Sequence, residues 1–179
     1  MKYLLILNLV LTATLSITIS ILKNDIDVIN SKVKKKRKTL KFTLDEFAII
    51  PTKGSDNSAG FDLYSNMETT IKPNETVLIH TGLYTEIPKG YFGGIYARSG
   101  LATKEDLAPA NKVGVIDCDY RGEILVPLHN HGTQIRKIET GQRIAQLIIQ
   151  PYLRCGLEYV DNLSNTERGS GGFGSTGKK

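Results

Sequence analysis

Five short blocks of this chain gather carboxylates, cations, hydroxyls and glycines in a way that packing alone does not require. They are Ala59-Gly-Phe-Asp-Leu63, Arg98-Ser-Gly-Leu-Ala102, Gly114-Val-Ile-Asp-Cys-Asp-Tyr-Arg-Gly122, Gly141-Gln-Arg-Ile-Ala-Gln146 and the terminal Arg168-Gly-Ser-Gly-Gly-Phe-Gly-Ser-Thr-Gly-Lys-Lys179. An aspartate can accept a proton from water, and an arginine fork with a hydroxyl and a bare backbone N–H can hold phosphate oxygens. Glycines let a backbone lie against a ligand and offer successive N–H groups to an anion. With one phenylalanine as a flat ring for a base, the tail has an inventory suited to a nucleotide. Each block alone also has a bland reading. Gly60-Phe61-Asp62 reads as a turn, Arg98-Ser99-Gly100 as a surface bend, and the tail as a solvated polar terminus.

Two chemistries fall away on inspection. Gly172-Phe-Gly-Ser-Thr-Gly-Lys178 mimics a phosphate-cradling Walker loop, but Lys179 stands where Ser or Thr is needed and no helix follows to aim its dipole. His80, His129 and His131 have no cysteine or carboxylate at ligand spacing, which argues against zinc. Cys118 and Cys155 are too few for a disulfide framework, in keeping with a reducing compartment. Asp117 and Asp119 would share one face of a strand, where burial would set like charges together. That places them at an edge, near a cation or in a turn.

The elements that must position these residues begin near Leu40. Short apolar runs at Leu40–Leu44, Phe47–Ile50, Thr76–Ile79, Tyr91–Ala97, Ile124–Leu128 and Ile144–Ile149 alternate with turn signals. These signals are Pro73-Asn74, Pro88-Lys89-Gly90, His131-Gly132 and Thr140-Gly141. Many β-branched residues and no long 3.6-residue period predict an all-β sandwich or barrel, with a few helical residues after Ser99. Ile124, Val126 and Leu128 should point one way, with Glu123 and His129 elsewhere.

Residues 1–39 read as an extension to a domain spanning 40–179. Within it, residues 4–22 carry no charge between Lys2 and Lys23. They are long enough to span a bilayer or to begin a signal peptide, though Asn8 and several Ser/Thr residues dilute them. Residues 34–38, Lys-Lys-Lys-Arg-Lys, read as a nuclear address, a polyanion-binding patch or a solvated spacer. A start assigned too far upstream is a further reading. The formal charge of +5 is uneven: residues 1–38 hold eight Lys/Arg against two Asp, so the remaining chain has 15 basic and 16 acidic side chains. The folded domain therefore has no basic signature of nucleic-acid binding.

Taken in this order and spacing, the five blocks resemble the trimeric deoxyuridine triphosphatase (dUTPase) family over residues 40–179, most specifically in the third block and the tail. The resemblance implies a jelly-roll-like β-barrel forming a homotrimer. Two chains supply most of each active site, and the glycine-rich arm of the third, residues 168–179, closes as a lid. The implied reaction is hydrolysis of dUTP to dUMP and pyrophosphate, lowering dUTP and supplying dUMP for dTMP synthesis, with Mg²⁺ on the triphosphate.

By the same resemblance, Asp117 is the carboxylate that activates water, and Asp62 holds Mg²⁺ through water. Arg98, Ser99 and Gly100 bind phosphate, Gln146 reaches phosphate or the catalytic water, and Arg143 is structural. Asn111 and the backbone of Val115, Ile116 and Leu125 receive uracil, while Tyr120 lies against the deoxyribose. Phe173 stacks on the base as Arg168, Gly174, Ser175 and Thr176 reach the phosphates. Phe61 and Cys118 depart from the family's usual tyrosine and polar residue. A dCTP deaminase shares the barrel but lacks the phenylalanine-bearing tail and the Asp117–Tyr120 arrangement. A non-hydrolytic binding trimer has no need of the whole set. The implied location is intracellular, in cytoplasm or nucleus, the alternative being an anchored or processed form.

Overall fold

A computed structural model describes residues 2–33 and 38–172, which divide into two compact units at Phe42/Thr43. The first contains helix α1, Lys2–Val33. No glycine or proline interrupts those 32 residues, and the Thr18 hydroxyl donates to the Thr14 carbonyl at 2.8 Å instead of competing for a cap. Among the described residues no helix is long and apolar enough to cross a membrane.

The second unit is almost entirely antiparallel β. From Lys41 onward the strands are β1 (Lys41–Leu44), β2 (Phe61–Tyr64), β3 (Thr69–Ile71), β4 (Thr76–Glu86), β5 (Tyr91–Ala97), β6 (Leu107–Pro109), β7 (Gly114–Ile116), β8 (Glu123–Asn130), β9 (Arg136–Ile138) and β10 (Arg143–Pro151). One short helix, α2 (Ser99–Lys104), lies where the sequence predicts helical residues. The strands form two four-stranded sheets, β1-β4-β8-β6 and β2-β10-β5-β7, and a β3-β9 ribbon. The result is the expected jelly-roll-like β fold.

Alternation sets which face each strand buries. Along β8, Ile124, Val126, Leu128 and Asn130 are buried while Glu123, Leu125, Pro127 and His129 are partly exposed. Leu63, Ile95, Ile144 and Leu147 of the other sheet, with Ile71 and Ile138 of the ribbon, complete the core. Each such side chain contributes about 1.5–3 kcal/mol on leaving water. The turn signals act as read: Asn74, Gly90 and Gly141 all adopt positive φ, where the chain reverses.

One apolar run is not a strand. Glu46-Phe47 form a turn, with Phe47 at φ 65° and 83% exposed. The Asp45 amide donates to the Gly82 carbonyl and the Ala48 amide to the Asp45 carbonyl, so local backbone pairing overrides the apolar pattern.

Candidate active site

The β2-β10-β5-β7 sheet carries or adjoins four of the five blocks. Asp62 on β2 lies opposite Gln146 on β10, which lies opposite Tyr96 on β5. Just past β5, Arg98 turns back across these strands. Its Nε donates to Asp62 Oδ1 at 3.1 Å, and Arg143 Nη1 donates to Asp62 Oδ2 at 3.1 Å. Arg98 Nη1 also donates to the Arg143 carbonyl at 3.3 Å. One carboxylate, 15% exposed, therefore sets two guanidinium groups side by side. Asp62 is itself fixed by its amide donating to the Thr52 carbonyl at 2.7 Å.

Gln146 is equally constrained. Its Nε2 donates to the Ala97 carbonyl at 2.9 Å, and a side chain at Gly60 would come within 2.6 Å of its Oε1. Ser99 and Gly100 open α2 and are exposed, and nothing lies within 4 Å of where a Cβ on Gly100 would stand. Beside them is a cleft of about 270 Å³ lined by Arg98, Gly100, Leu101, Lys104, Glu105, Gln142 and Arg143. Its three cations, two of them shared with Asp62, outnumber the carboxylates Glu105 and Asp62 and make it suited to an anion.

The third block forms a separate feature. β7 leads into a turn in which the Tyr120 amide donates to the Asp117 carbonyl at 3.2 Å. Arg121 Nη1 closes it on the carbonyls of Cys118 and Tyr120, at 2.9 and 2.8 Å. Both Asp117 and Asp119 are exposed, so like-charge repulsion is met by solvent, as their spacing predicts. Tyr120, 43% exposed, donates its hydroxyl to the Glu123 carbonyl at 3.0 Å. A Cβ on Gly122 would strike that ring. A Cβ on Gly114 would sit 3.1 Å from Asn111 Nδ2, so the Asn111 amide lies close to Gly114, the first residue of β7 before Val115 and Ile116. Leu125 is half-buried on β8, the next strand along the chain.

These two features do not meet within one chain. Ile116, the residue before Asp117, pairs with Gly93, whereas Asp62 is level with Tyr96 across three strand spacings. At about 4.8 Å per strand and 3.3 Å per residue, that is roughly 17 Å. Arg168 bonds within its own segment, its Nε donating to the Gly171 carbonyl at 2.8 Å. Phe173, Gly174, Ser175 and Thr176 lie outside the described residues.

Among the described residues no three His, Cys, Asp or Glu side chains cluster as a metal cage. Asp62 nonetheless fits an outer role toward Mg²⁺. Each of its oxygens accepts one arginine N–H and keeps lone-pair capacity for water, and Mg²⁺ characteristically retains its waters and takes phosphate oxygens.

The place of Arg143 is the least legible in the sequence. Nothing in its block told that it would share Asp62 with Arg98, because the partner lies 81 positions away.

A jelly-roll-like β domain with a guanidinium–carboxylate cluster and an aspartate-bearing hairpin has the cations to hold phosphate and a carboxylate free to take a proton. The dUTPase family model matches residues 46–177. The chain is 49% identical over 135 residues to the deoxyuridine 5'-triphosphate nucleotidohydrolase of Nautilia profundicola, covering 75% of this chain and 95% of that one. It is 41% identical over 152 residues to the enzyme of the same name from Clostridium acetobutylicum, covering 85% and 99%. Among solved structures, Staphylococcus bacteriophage 80alpha dUTPase with dUPNHPP aligns at TM-score 0.75 and 29% identity, over 79% of this chain and 99% of that one. A variant of the dUTPase from phage phi11 of S. aureus, which reveals coordination of a structural Mg(II) ion, aligns at TM-score 0.66 and 26% identity, over 70% and 98%. This chain belongs to the dUTPase family.

Proposed function

We propose that this chain is a dUTP diphosphatase, cleaving dUTP to dUMP and pyrophosphate and so lowering dUTP while supplying dUMP for dTMP synthesis. The observation that carries the reading is the Asp62–Arg98–Arg143 cluster beside exposed Ser99 and Gly100, within a chain of the dUTPase family. The Arg98 guanidinium, the Ser99 hydroxyl and the Gly100 N–H bind phosphate oxygens, with Gln146 reaching phosphate or the attacking water. Asp62 orients Arg98 and would hold Mg²⁺ through water, an ion that would neutralise triphosphate charge when bound.

Asp117 accepts a proton from water as the water oxygen bonds to the α-phosphorus. The bond from that phosphorus to the bridging oxygen breaks, and pyrophosphate leaves. General-base help of this kind is worth roughly 10²–10⁴-fold. The Asn111 amide and the backbone of Val115, Ile116 and Leu125 recognise uracil. Fixed main-chain polarity opposes the amino group of cytosine, and a 5-methyl would overpack the hairpin at about 1–3 kcal/mol. Tyr120 lies against the deoxyribose, where an unpaired 2′-hydroxyl would cost about 1–3 kcal/mol. Phe173 stacks on the base, and Arg168, Gly174, Ser175 and Thr176 meet the phosphates as residues 168–179 close.

The separation of roughly 17 Å between the backbone of the Asp117 hairpin and that of Asp62 favours sites shared between chains, and the number of chains, three, is taken from the family resemblance. We read residues 40–179 as the catalytic domain and 1–39 as an extension, and assign the enzyme to the cell interior because its substrate is there. Pyrophosphate release from each dNTP with Mg²⁺ tests the reading. The rate on dUTP should far exceed those on dTTP and dCTP. Equal rates on all three, or none on dUTP, would overturn it.

A further inference from the structure

β4 does not run straight past β8. His80 pairs with Leu125 and Tyr84 with Glu123, so three residues of β4, Thr81, Gly82 and Leu83, bulge opposite Ile124 alone. Gly82 takes φ 63°, and a Cβ there would come within 2.6 Å of Ala48 Cβ. A bulge takes backbone donors out of the ladder. The Glu123 side chain accepts them: the Thr81 and Gly82 amides donate to Oε1 at 3.0 and 2.8 Å. Its Oε2 lies 2.8 Å from His80 Nδ1. Thr81 Oγ1 donates to the Ile124 carbonyl at 2.6 Å and accepts the Leu83 amide at 3.2 Å, completing the bulge. The carboxylate is 16% exposed and has three partners, whereas an ordinary strand-end glutamate would be solvated.

The main chain of this same residue holds Tyr120, whose hydroxyl donates to the Glu123 carbonyl at 3.0 Å. Gly122, between them, leaves the space that the ring occupies. We propose that Glu123 is a positioning residue for sugar selection: its carboxylate, anchored in the β4 bulge, fixes the carbonyl that sets the Tyr120 ring. The inference rests on the reading of Tyr120 as the group facing the deoxyribose. A ring free to tilt would leave room for a 2′-hydroxyl, so the anchor governs discrimination against ribonucleotides more than it governs phosphate chemistry.

The test measures kcat/KM for dUTP and UTP on the full chain, with thermal melting to check folding. Glu123→Ala removes the anchor, and Glu123→Asp is one methylene too short to reach the bulge. Both should lower the dUTP:UTP ratio about tenfold or more. Glu123→Gln keeps an acceptor for the two amides and should hold the ratio within about threefold of wild type. Folded Ala and Asp variants with the wild-type ratio overturn the proposal, as does a Gln variant that loses the ratio as fully as Ala. Should Ala and Asp fail to fold, Tyr120→Phe decides, since it deletes only the hydroxyl that bonds the Glu123 carbonyl. A lost ratio supports the anchor, and an unchanged one overturns it. A wild-type enzyme without preference for dUTP over UTP would instead defeat the reading of Tyr120.

Discussion

Asp62 shows how one side chain organises a site. Its two arginine bonds are equal in length, but the Arg98 side chain is 26% exposed and that of Arg143 49%. A solvent-screened pair contributes only about 0–1 kcal/mol, so the better shielded Arg98 is the guanidinium that Asp62 chiefly orients. Asp117 is different, exposed on a turn that the Tyr120 amide and the Arg121 guanidinium close. Its proposed role makes a sharp prediction. Asp117→Asn should cut kcat by about 10²–10⁴-fold while dUTP still binds in calorimetry, because the amide keeps the shape and loses the basicity. Activity within about tenfold of wild type would remove Asp117 from the role.

At the scale of elements, β8 is the hinge between core and site. One end holds the Tyr120 turn; the other ends in Asn130, which is fully buried. Asn130 Nδ2 donates to the carbonyls of Ile71 and Gln134 at 2.9 and 2.8 Å, and its Oδ1 accepts the Gly132 amide at 2.9 Å. This one amide joins β3, β8 and the loop before β9. Asn130→Leu has a similar volume but strands the Ile71 carbonyl in the core, at about 1–3 kcal/mol for a group left buried and unpaired, and unties the part-buried Gly132 and Gln134 bonds that hold the loop. The melting temperature should fall by about 10 °C or more, since 1 kcal/mol shifts a domain of this size by about 2–8 °C. A melt within about 2 °C of wild type would mean that water satisfies those groups.

At the scale of the whole molecule, the register of one sheet bears on assembly. Ile116 pairs with Gly93 near the start of β5, and Arg98 follows its end, so hairpin and cation cluster occupy opposite ends of the sheet. If sites form between chains, two inactive variants should complement each other. Arg98→Ala and Asp117→Asn, unfolded together and refolded at equal amounts, should regain about a quarter of wild-type activity, because one in four sites then draws both intact residues. Refolded separately, each should stay inactive. A mixture as inactive as its components would argue that each site is built within one chain.

The sequence by itself determined the chemistry available and the class of fold. Alternation at Ile124, Val126 and Leu128, turns at Asn74, Gly90 and Gly141, and the exposed turn of Asp117 and Asp119 all depend on neighbours a few positions away. Phe47 was misleading for the same reason, as its apolar surroundings suggested a strand that backbone pairing to Gly82 cancels. Only the tertiary structure decided that Asp62 would take both Arg98 and Arg143, 36 and 81 positions away, and that Glu123 would fill the β4 bulge. Those contacts follow from strand order and register. Register is fixed by the fit of the whole core, which no local pattern of residues encodes.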